Sequence, residues 1–305
     1  TQSPIVFIQQ LGRGLRKANG KEYVVILDFI GNYNNNFMIP VALSGDRSYN
    51  ADTIRKYVIS GNRTIPGAST IHFDEVAKNK IFHSIDRIRG IKSIIRESYI
   101  SLKNRLGRTP RLYDFYSNNE VDPLVIIREY KTYYGFLESM EKANYCCTLT
   151  EQEKLILEYL SKTILSGVRP EELEILQLLL RQNAISIEAF QKLYQEKYRK
   201  NIMEDQVNCA LEVLQGKFVS NEKEYQKYET IDMISCDQTS RITRVSKYGE
   251  LLRNVEFRSQ VEDIIKVGLA RYHDKFMNTN EVVSPFVLYE KYSRRDVSLL
   301  MNCGK

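Results

Sequence analysis

Residues 7–29 read FIQQLGRGLRKANGKEYVVILDF and carry three features in tight order. A Gln-x-x-Gly-Arg-x-x-Arg run occupies residues 9–16, a turn rich in Lys, Asn and Gly follows, and an apolar run ends in Asp-Phe. Two arginines about one helical turn apart, beside a glycine, suit a phosphate, because guanidinium groups are planar, permanently charged donors. The stretch therefore predicts a phosphate-contacting element.

The segments on either side of this run predict a piece of an α/β sheet. Residues 4–8 and 23–30 are short apolar runs rich in β-branched side chains, which is typical of buried strands. Residues 69–73 are a further candidate strand, and residues 73–88 have the pattern of a helix. We expect residues 1–84 to form this α/β region.

Length and composition limit the class of protein. The 305 residues suffice for two or more domains, and 43% hydrophobic residues exclude disorder as the main state. The five cysteines form no C-x-x-C pair, and no apolar run approaches the roughly 18 residues of a membrane span. The first residues lack the basic region of a signal peptide. We therefore expect a reduced, cytoplasmic protein with no membrane partner and no metal site.

From about residue 84 the apolar spacing predicts helices. Asp122-Pro123 is expected to begin a longer helix, because Asp suits an N-cap and Pro the first helical position. Thr150 followed by Glu153 has the pattern of a capping box. Residues 146–278 predict a helical accessory domain, with a winged-helix-like fold as one candidate. The expected fold class is mixed, a short α/β remnant followed by a mainly α-helical region.

Residues 87–111 contain eight basic residues against one acidic residue, Glu97, in a chain of net charge +6. Such a local excess is typical of a surface that binds a phosphate backbone. The alternative is a solvated basic helix pair that packs against an acidic surface. We expect backbone contacts rather than base readout. The candidate DNA contacts are Lys103, Arg105, Arg108, Arg111, Arg128 and Lys131.

The run at residues 9–16 resembles motif VI of superfamily-two helicases, and the apolar run after it resembles the last core strand of their second RecA-like domain. The resemblance implies that Gln9, Gly12, Arg13 and Arg16 belong to an ATP site. It also implies that Arg13 and Arg16 reach the γ-phosphate across the cleft between two lobes, with Arg16 as the arginine finger. Such a finger contributes roughly 10³–10⁵ in rate. The alternative is an ordinary basic helix start.

No G-x-x-x-x-G-K-[ST] P-loop occurs in the sequence. The resemblance therefore implies that ATP and Mg²⁺ bind only in a full-length protein, whose N-terminal helicase lobe this chain lacks. We expect neither to bind this fragment. Asp74 and Glu75 look like the Asp-Glu box of helicases but follow motif VI instead of preceding it. We expect them to be a solvated helix start.

Two further resemblances concern accessory regions. Residues 106–115 and 121–140 resemble the small helix-turn-helix modules that accompany homing endonucleases and some bacterial helicases, which makes residues 85–145 a candidate helix-turn-helix-like module. Residues 286–302 resemble the opening of an uncharacterised C-terminal domain of bacterial helicases, so residues 279–305 are expected to be its truncated start.

Together these features predict a C-terminal fragment of a bacterial superfamily-two DNA helicase, DEAD/DEAH-like or type III restriction-like. We expect the fragment alone to be inactive and the whole protein to serve DNA repair or defence against foreign DNA. The alternative is a non-enzymatic protein-interaction module of a larger DNA-processing protein. A stand-alone nuclease is disfavoured, because the sequence shows no clustered carboxylates or histidines.

Overall fold

The computed structural model describes residues 4–15, 25–27, 36–46, 49–60, 71–86, 90–218, 222–277, 282–283, 286–287, 292 and 294–301. Of the residues that the structure describes, 68% are helical and 5% lie in strands, so the helical part of the expected fold class is confirmed. The chain divides into two compact units. The first comprises Thr1–Arg108 with Asn118–Asp122, and the second comprises Thr109–Ser117 with Pro123–Lys305.

The described part of the first unit contains five helices joined by irregular segments. They are α1 (Pro4–Gly14), α2 (Met38–Ser44), α3 (Ala51–Ser60), α4 (Glu75–Asp86) and α5 (Ile91–Leu106). Val41, Val58 and Ile81 are fully buried in its core. The backbone N–H of Phe37 donates to Ser84 Oγ at 3.2 Å, which ties the start of α2 to α4.

Asp74 and Glu75 mark the start of α4, as the sequence predicted. Asp74 Oδ1 accepts a hydrogen bond from the backbone N–H of Ala77 at 2.6 Å, and both acidic side chains are exposed. A carboxylate in this position satisfies a free N–H group of the first turn. The pair therefore has a local structural role at a helix terminus.

The strands predicted within residues 1–84 are absent from the described part of that region. Residues 4–8 form the first turns of α1, and residues 25–27 and 71–73 are irregular, so these strand assignments were wrong. Residues 23–24, 28–30 and 69–70 lie outside the described residues. The physical reason is that a short apolar run fits a buried helix as well as a strand, and a strand also needs a pairing partner.

The second unit contains most of the helices and all the described strands. They are α6 (Leu112–Ser117), α7 (Pro123–Tyr130), α8 (Tyr133–Glu141), α9 (Glu151–Thr163), α10 (Glu171–Arg181), β1 (Ala184–Ser186), α11 (Ile187–Tyr198), α12 (Glu204–Leu214), α13 (Glu222–Tyr228), β2 (Ile234–Cys236), β3 (Arg241–Arg244), α14 (Ser246–Leu251), α15 (Val255–Tyr272), β4 (Val282–Val283), β5 (Phe286–Val287) and α16 (Arg294–Leu300).

The longer helix expected after Asp122 begins at Pro123, as predicted, but it is two helices. The break between α7 and α8 lies at Lys131, which adopts a left-handed conformation with φ 66°. Thr132 then caps α8, and its side chain accepts a hydrogen bond from the N–H of Gly135 at 2.9 Å. Residue 131 is a lysine, and no glycine marks this break, so the two helices were predicted as one.

The predicted capping box at the start of α9 is confirmed. The N–H of Glu153 donates to Thr150 Oγ1 at 3.3 Å, and the N–H of Thr150 donates to Glu153 Oε2 at 2.6 Å. Two backbone donors that have no partner within the helix are satisfied in this way.

We expect Thr150→Ala to lower the free energy of unfolding by about 1 kcal/mol, because the first turn of α9 loses its side-chain acceptor. Urea denaturation followed by circular dichroism measures the change. The control is Thr148→Ala, two residues earlier, since only the backbone carbonyl of Thr148 has a described bond, accepted from Asn254 Nδ2. Equal stability of the two variants would contradict the prediction.

A small antiparallel sheet lies within the second unit, with strand order β1-β3-β2. Ile242 of β3 pairs with Ile185 of β1 on one side and with Cys236 of β2 on the other. The chain order of the region is α10, β1, α11, α12, α13, β2 and β3. The sequence had suggested only a polar separator at residues 220–241, where α13 and β2 are found.

Helix α15 passes very close to the segment that follows α9. A Cβ atom added at Gly268 of α15 would lie 2.8 Å from the Leu173 methyl groups, and one added at Gly167 would lie 2.2 Å from Gly268 O. Gly167 also has φ +63°, which other residues adopt at a cost. The crossing therefore depends on glycine at both positions.

Candidate nucleic-acid interface

The predicted ATP-site residues lie on and just after α1. Gln9 and Arg13 are exposed, and their spacing of four residues places them on one face of the helix. Gly12 is also exposed, and a side chain there would meet open space. Arg16 lies outside the described residues. The structure thus places a glutamine and an arginine of the motif side by side and accessible.

Two of the predicted DNA contacts in the first unit have partners within that unit. Arg105 donates from Nη2 to Glu120 Oε1 at 3.0 Å, with about half of its side chain exposed. The ammonium of Lys103 lies 5.8 Å from the centroid of the Tyr99 ring. Arg108 follows Gly107, the left-handed C-cap of α5, and is exposed. Within this segment the charge of Arg105 is therefore partly offset by the carboxylate of Glu120.

Arg111 is held inside the second unit by α15. Its Nε donates to Asp263 Oδ2 at 3.0 Å, and its Nη2 donates to the backbone carbonyl of Ser259 at 2.9 Å. The carboxylate of Asp263 is almost fully buried, and burial raises its pKa, whereas the hydrogen bond from Arg111 opposes that rise. Removing Arg111 would leave a buried carboxylate without its main counter-charge. The ion pair joins α6 to α15 and gives Arg111 a structural role.

The other two predicted contacts of the second unit are open to solvent. Arg128 is half-exposed near the end of α7, and its Nε lies 3.8 Å from Glu129 Oε1, which is a long ion pair. Lys131 is exposed in the α7–α8 turn. The N-terminal part of α7, which was expected to approach a DNA groove, instead buries Pro123, Val125 and Ile126. Only the C-terminal end of α7 offers cations to a ligand.

The tyrosines of this region belong to the core. Tyr133 and Tyr134 are buried, and their hydroxyls donate to the carbonyls of Pro110 and Cys147 at 2.5 and 3.0 Å. Tyr130 meets Phe136 edge-on, with ring centroids 5.1 Å apart. The hydroxyls of Tyr133 and Tyr134 are therefore used inside the protein, and these two side chains pack in the core.

Sequence reasoning missed a set of buried carboxylates at the start of α10. Tyr194 donates to Glu171 at 3.0 Å, and Glu174 accepts from both Tyr198 and Lys197 at 2.5 Å. Burial, together with the neighbouring carboxylates, raises the pKa of both tyrosine hydroxyls. The partners are more than twenty residues apart, so no local pattern could have shown that these glutamates turn inward to fasten α11 to α10.

Two kinds of feature are absent from the described residues. No helix there is both long and apolar enough to cross a bilayer. No group of three or more His, Cys, Asp or Glu side chains in those ranges has the geometry to hold a metal ion.

A family model described as a domain of unknown function (DUF8090) matches residues 95–274. The chain belongs to this family. A comparison with curated proteins found no match. The DUF8090 region contains all six predicted DNA contacts and the Arg111–Asp263 ion pair, whereas the motif at residues 9–16 precedes it.

Proposed function

We propose that the chain is the C-terminal portion of a bacterial superfamily-two DNA helicase. In this proposal Gln9, Gly12, Arg13 and Arg16 complete an ATP site whose P-loop and Mg²⁺ ligands belong to an N-terminal lobe. The DUF8090 region then binds DNA while the helicase domains move along it. Service in DNA repair or defence, in the cytoplasm, is part of the same proposal.

The observation that carries this proposal is the motif at residues 9–16 and its placement. Arg13 stands in the last turn of α1, which ends at Gly14, so Arg16 follows within two residues of the helix end. Two guanidinium groups at a helix end can reach a polyphosphate held by a neighbouring lobe, where they offset the charge of its γ-phosphate.

Apolar exposure in the first unit also supports the proposal. Val25, Ile26 and Leu27 are consecutive and expose 71%, 43% and 76% of their surfaces. A run of three such side chains is unusual on the surface of a complete domain and marks a place where another segment packs. In the proposed full-length protein, the rest of a RecA-like lobe would pack against these three side chains.

DNA contact is assigned to the exposed cations of the DUF8090 region. Arg128 and Lys131 are the strongest candidates, because their charges are open to solvent, and Arg108 is exposed as well. Contacts to the phosphate backbone suit a motor, which must tolerate any base sequence. In this proposal α6 and α7 would form the core of the helix-turn-helix-like module, and the burial of α7 favours backbone contact at its end over insertion into a groove.

The test of this proposal is ATP hydrolysis by the complete gene product compared with this chain alone. We expect the complete product to hydrolyse ATP and to do so faster when DNA is added, and this chain to show no activity. Hydrolysis by this chain alone, or a complete product that lacks a P-loop, would overturn the proposal.

One set of contacts favours the second candidate function, a non-enzymatic protein-interaction module. Arg105 forms an ion pair with Glu120, and Arg111 forms one with Asp263, each inside its own unit. Two of the predicted DNA contacts therefore have a structural role. In that case DNA would not bind the chain even at low salt.

A further inference from the structure

A small cavity lies within the second unit, between the C-terminal half of α12 and helix α16. Cys209, Glu212 and Val213 line it from α12, and Leu299 lines it from α16. Its volume is about 70 Å³. One water needs roughly 10–15 Å³ of such space, so a ligand group of about five non-hydrogen atoms fits inside. The cavity therefore suits a small molecule.

Two arginines hold α16 in place as one wall of this cavity. Arg169 donates from Nη1 to the backbone carbonyl of Leu299 at 3.1 Å, and Arg169 itself borders the cavity. Arg295 of α16 donates from Nη2 to both carboxylate oxygens of Glu224, at 3.2 and 3.0 Å. The wall is thus formed without a ligand, as is usual for small-molecule sites.

Part of the lining is apolar. It comes from Val213 and Leu299, which are buried, and from Phe218, which is half-buried. Small-molecule sites typically combine such an apolar surface with a few polar groups that orient the ligand. In a space of this size, a short aliphatic side chain fits this apolar surface better than an aromatic ring does.

Two exposed residues of opposite charge, Glu212 and Lys217, also line the cavity. The backbone N–H of Lys217 donates to the carbonyl of Glu212 at 3.0 Å, so both residues belong to the turn that ends α12. Within the described ranges, neither side chain has an ion-pair or hydrogen-bond partner, although both border the same space. A ligand that carries both charges can bind between them.

We propose that this cavity binds a small zwitterion, a free aliphatic α-amino acid. The Glu212 carboxylate accepts hydrogen bonds from the ammonium of the ligand, and the Lys217 ammonium donates to its carboxylate. The aliphatic side chain lies against Val213, Phe218 and Leu299. Both charges decide the class, because Glu212 would repel a simple anion and Lys217 would repel a simple cation. The proposal does not depend on the helicase function.

The test is isothermal titration calorimetry of the full chain with L-leucine. We expect saturable binding, and an affinity at least about fivefold lower for L-leucinamide, N-acetyl-L-leucine and glycine, which lack the carboxylate, the ammonium and the side chain respectively. Glu212→Gln and Lys217→Gln should each raise the dissociation constant for leucine by a similar factor. The matched controls Glu188→Gln and Lys192→Gln remove exposed charges on α11 and should leave it unchanged. No saturable binding of leucine, or equal affinity for any of the three analogues, would overturn the proposal.

Cys209 offers a second measurement that needs no variant. Its thiol borders the cavity and is partly exposed, whereas Cys146 and Cys147 are exposed outside the lining. With leucine at about ten times its dissociation constant, alkylation of Cys209 by iodoacetamide should slow at least about threefold, because the occupied cavity excludes the reagent. Alkylation of Cys146 and Cys147 should keep its rate, and mass spectrometry measures each site. An unchanged rate at Cys209, or equal slowing at all three cysteines, would contradict binding in this cavity.

Discussion

Replacing Arg16 with alanine is expected to lower the kcat for ATP hydrolysis by the complete gene product roughly 10³-fold. The reason is that, in the proposed ATP site, the Arg16 guanidinium would offset the charge that develops on the γ-phosphate in the transition state, when the bond to the leaving group breaks. Arg13→Ala is expected to act in the same direction with a smaller effect. Steady-state kinetics at saturating DNA measures both.

The control is Arg55→Ala, which removes an arginine from the first unit outside the motif. Arg55 is part-exposed on α3 and lies 3.5 Å from Asp52, one turn earlier on the same helix. A surface pair of this kind contributes little to stability, so this variant should keep its activity. If Arg16→Ala and Arg55→Ala have the same kcat, residues 9–16 are an ordinary basic helix end.

Replacing Arg111 with methionine is expected to lower the free energy of unfolding by about 2 kcal/mol at pH 7. Loss of one partner from a buried ion pair typically costs 3–5 kcal/mol, and the figure is lower here because 39% of the Arg111 side chain is exposed. The double variant Arg111→Met/Asp263→Asn should recover part of the loss, since it no longer buries a lone charge. Urea denaturation measures each value.

The loss should shrink as the pH falls. Burial already raises the pKa of Asp263, so the folded state holds that proton more tightly than the unfolded state does. Without Arg111, one of the groups that oppose this rise is gone, while Lys266 still lowers the pKa and Asp114 raises it. The penalty is therefore greatest above the folded pKa and is relieved on acidification through it.

Arg128→Met is the control for this prediction, because it removes an arginine whose ion pair is long and exposed. It should change the stability by less than about 0.5 kcal/mol at either pH. A difference between Arg111→Met and the unaltered chain that stays constant from pH 7 to pH 5 would contradict the account of Asp263.

The start of a helix was predictable wherever the residues that cap it lie next to one another in the sequence. Thr150 with Glu153, and Pro123, were assigned correctly because the residues that define each start lie within one turn. The strands predicted at residues 4–8 and 23–30 were wrong where these residues are described, because an apolar segment becomes a strand only if another strand pairs with it. That information lies elsewhere in the fold.

The local density of charged residues was predictable from the sequence, but the partners of the individual charged side chains were not. The density of basic residues in 87–111 is plain in the sequence, yet the partner of Arg111 lies on α15, 152 residues away. Nor does a sequence show that the glutamates of α10 turn inward to Tyr194 and Tyr198.

The most direct test of DNA binding by this chain is fluorescence anisotropy with duplex and single-stranded DNA across a salt series. Arg128→Gln/Lys131→Asn removes the two open cations, and Asn tolerates the positive φ of residue 131. The control Lys247→Gln/Arg253→Gln removes two exposed cations elsewhere in the second unit. Arg111 is left in place, because its loss would alter folding.

We predict that binding by the unaltered chain falls steeply with salt and is similar for unrelated sequences. In the Arg128/Lys131 variant, the slope of log affinity against log salt for duplex DNA should decrease by about 1.8, which corresponds to two lost phosphate contacts. The control should keep the original slope. No binding at low salt, or the same slope in the variant and the unaltered chain, would contradict the proposed DNA grip.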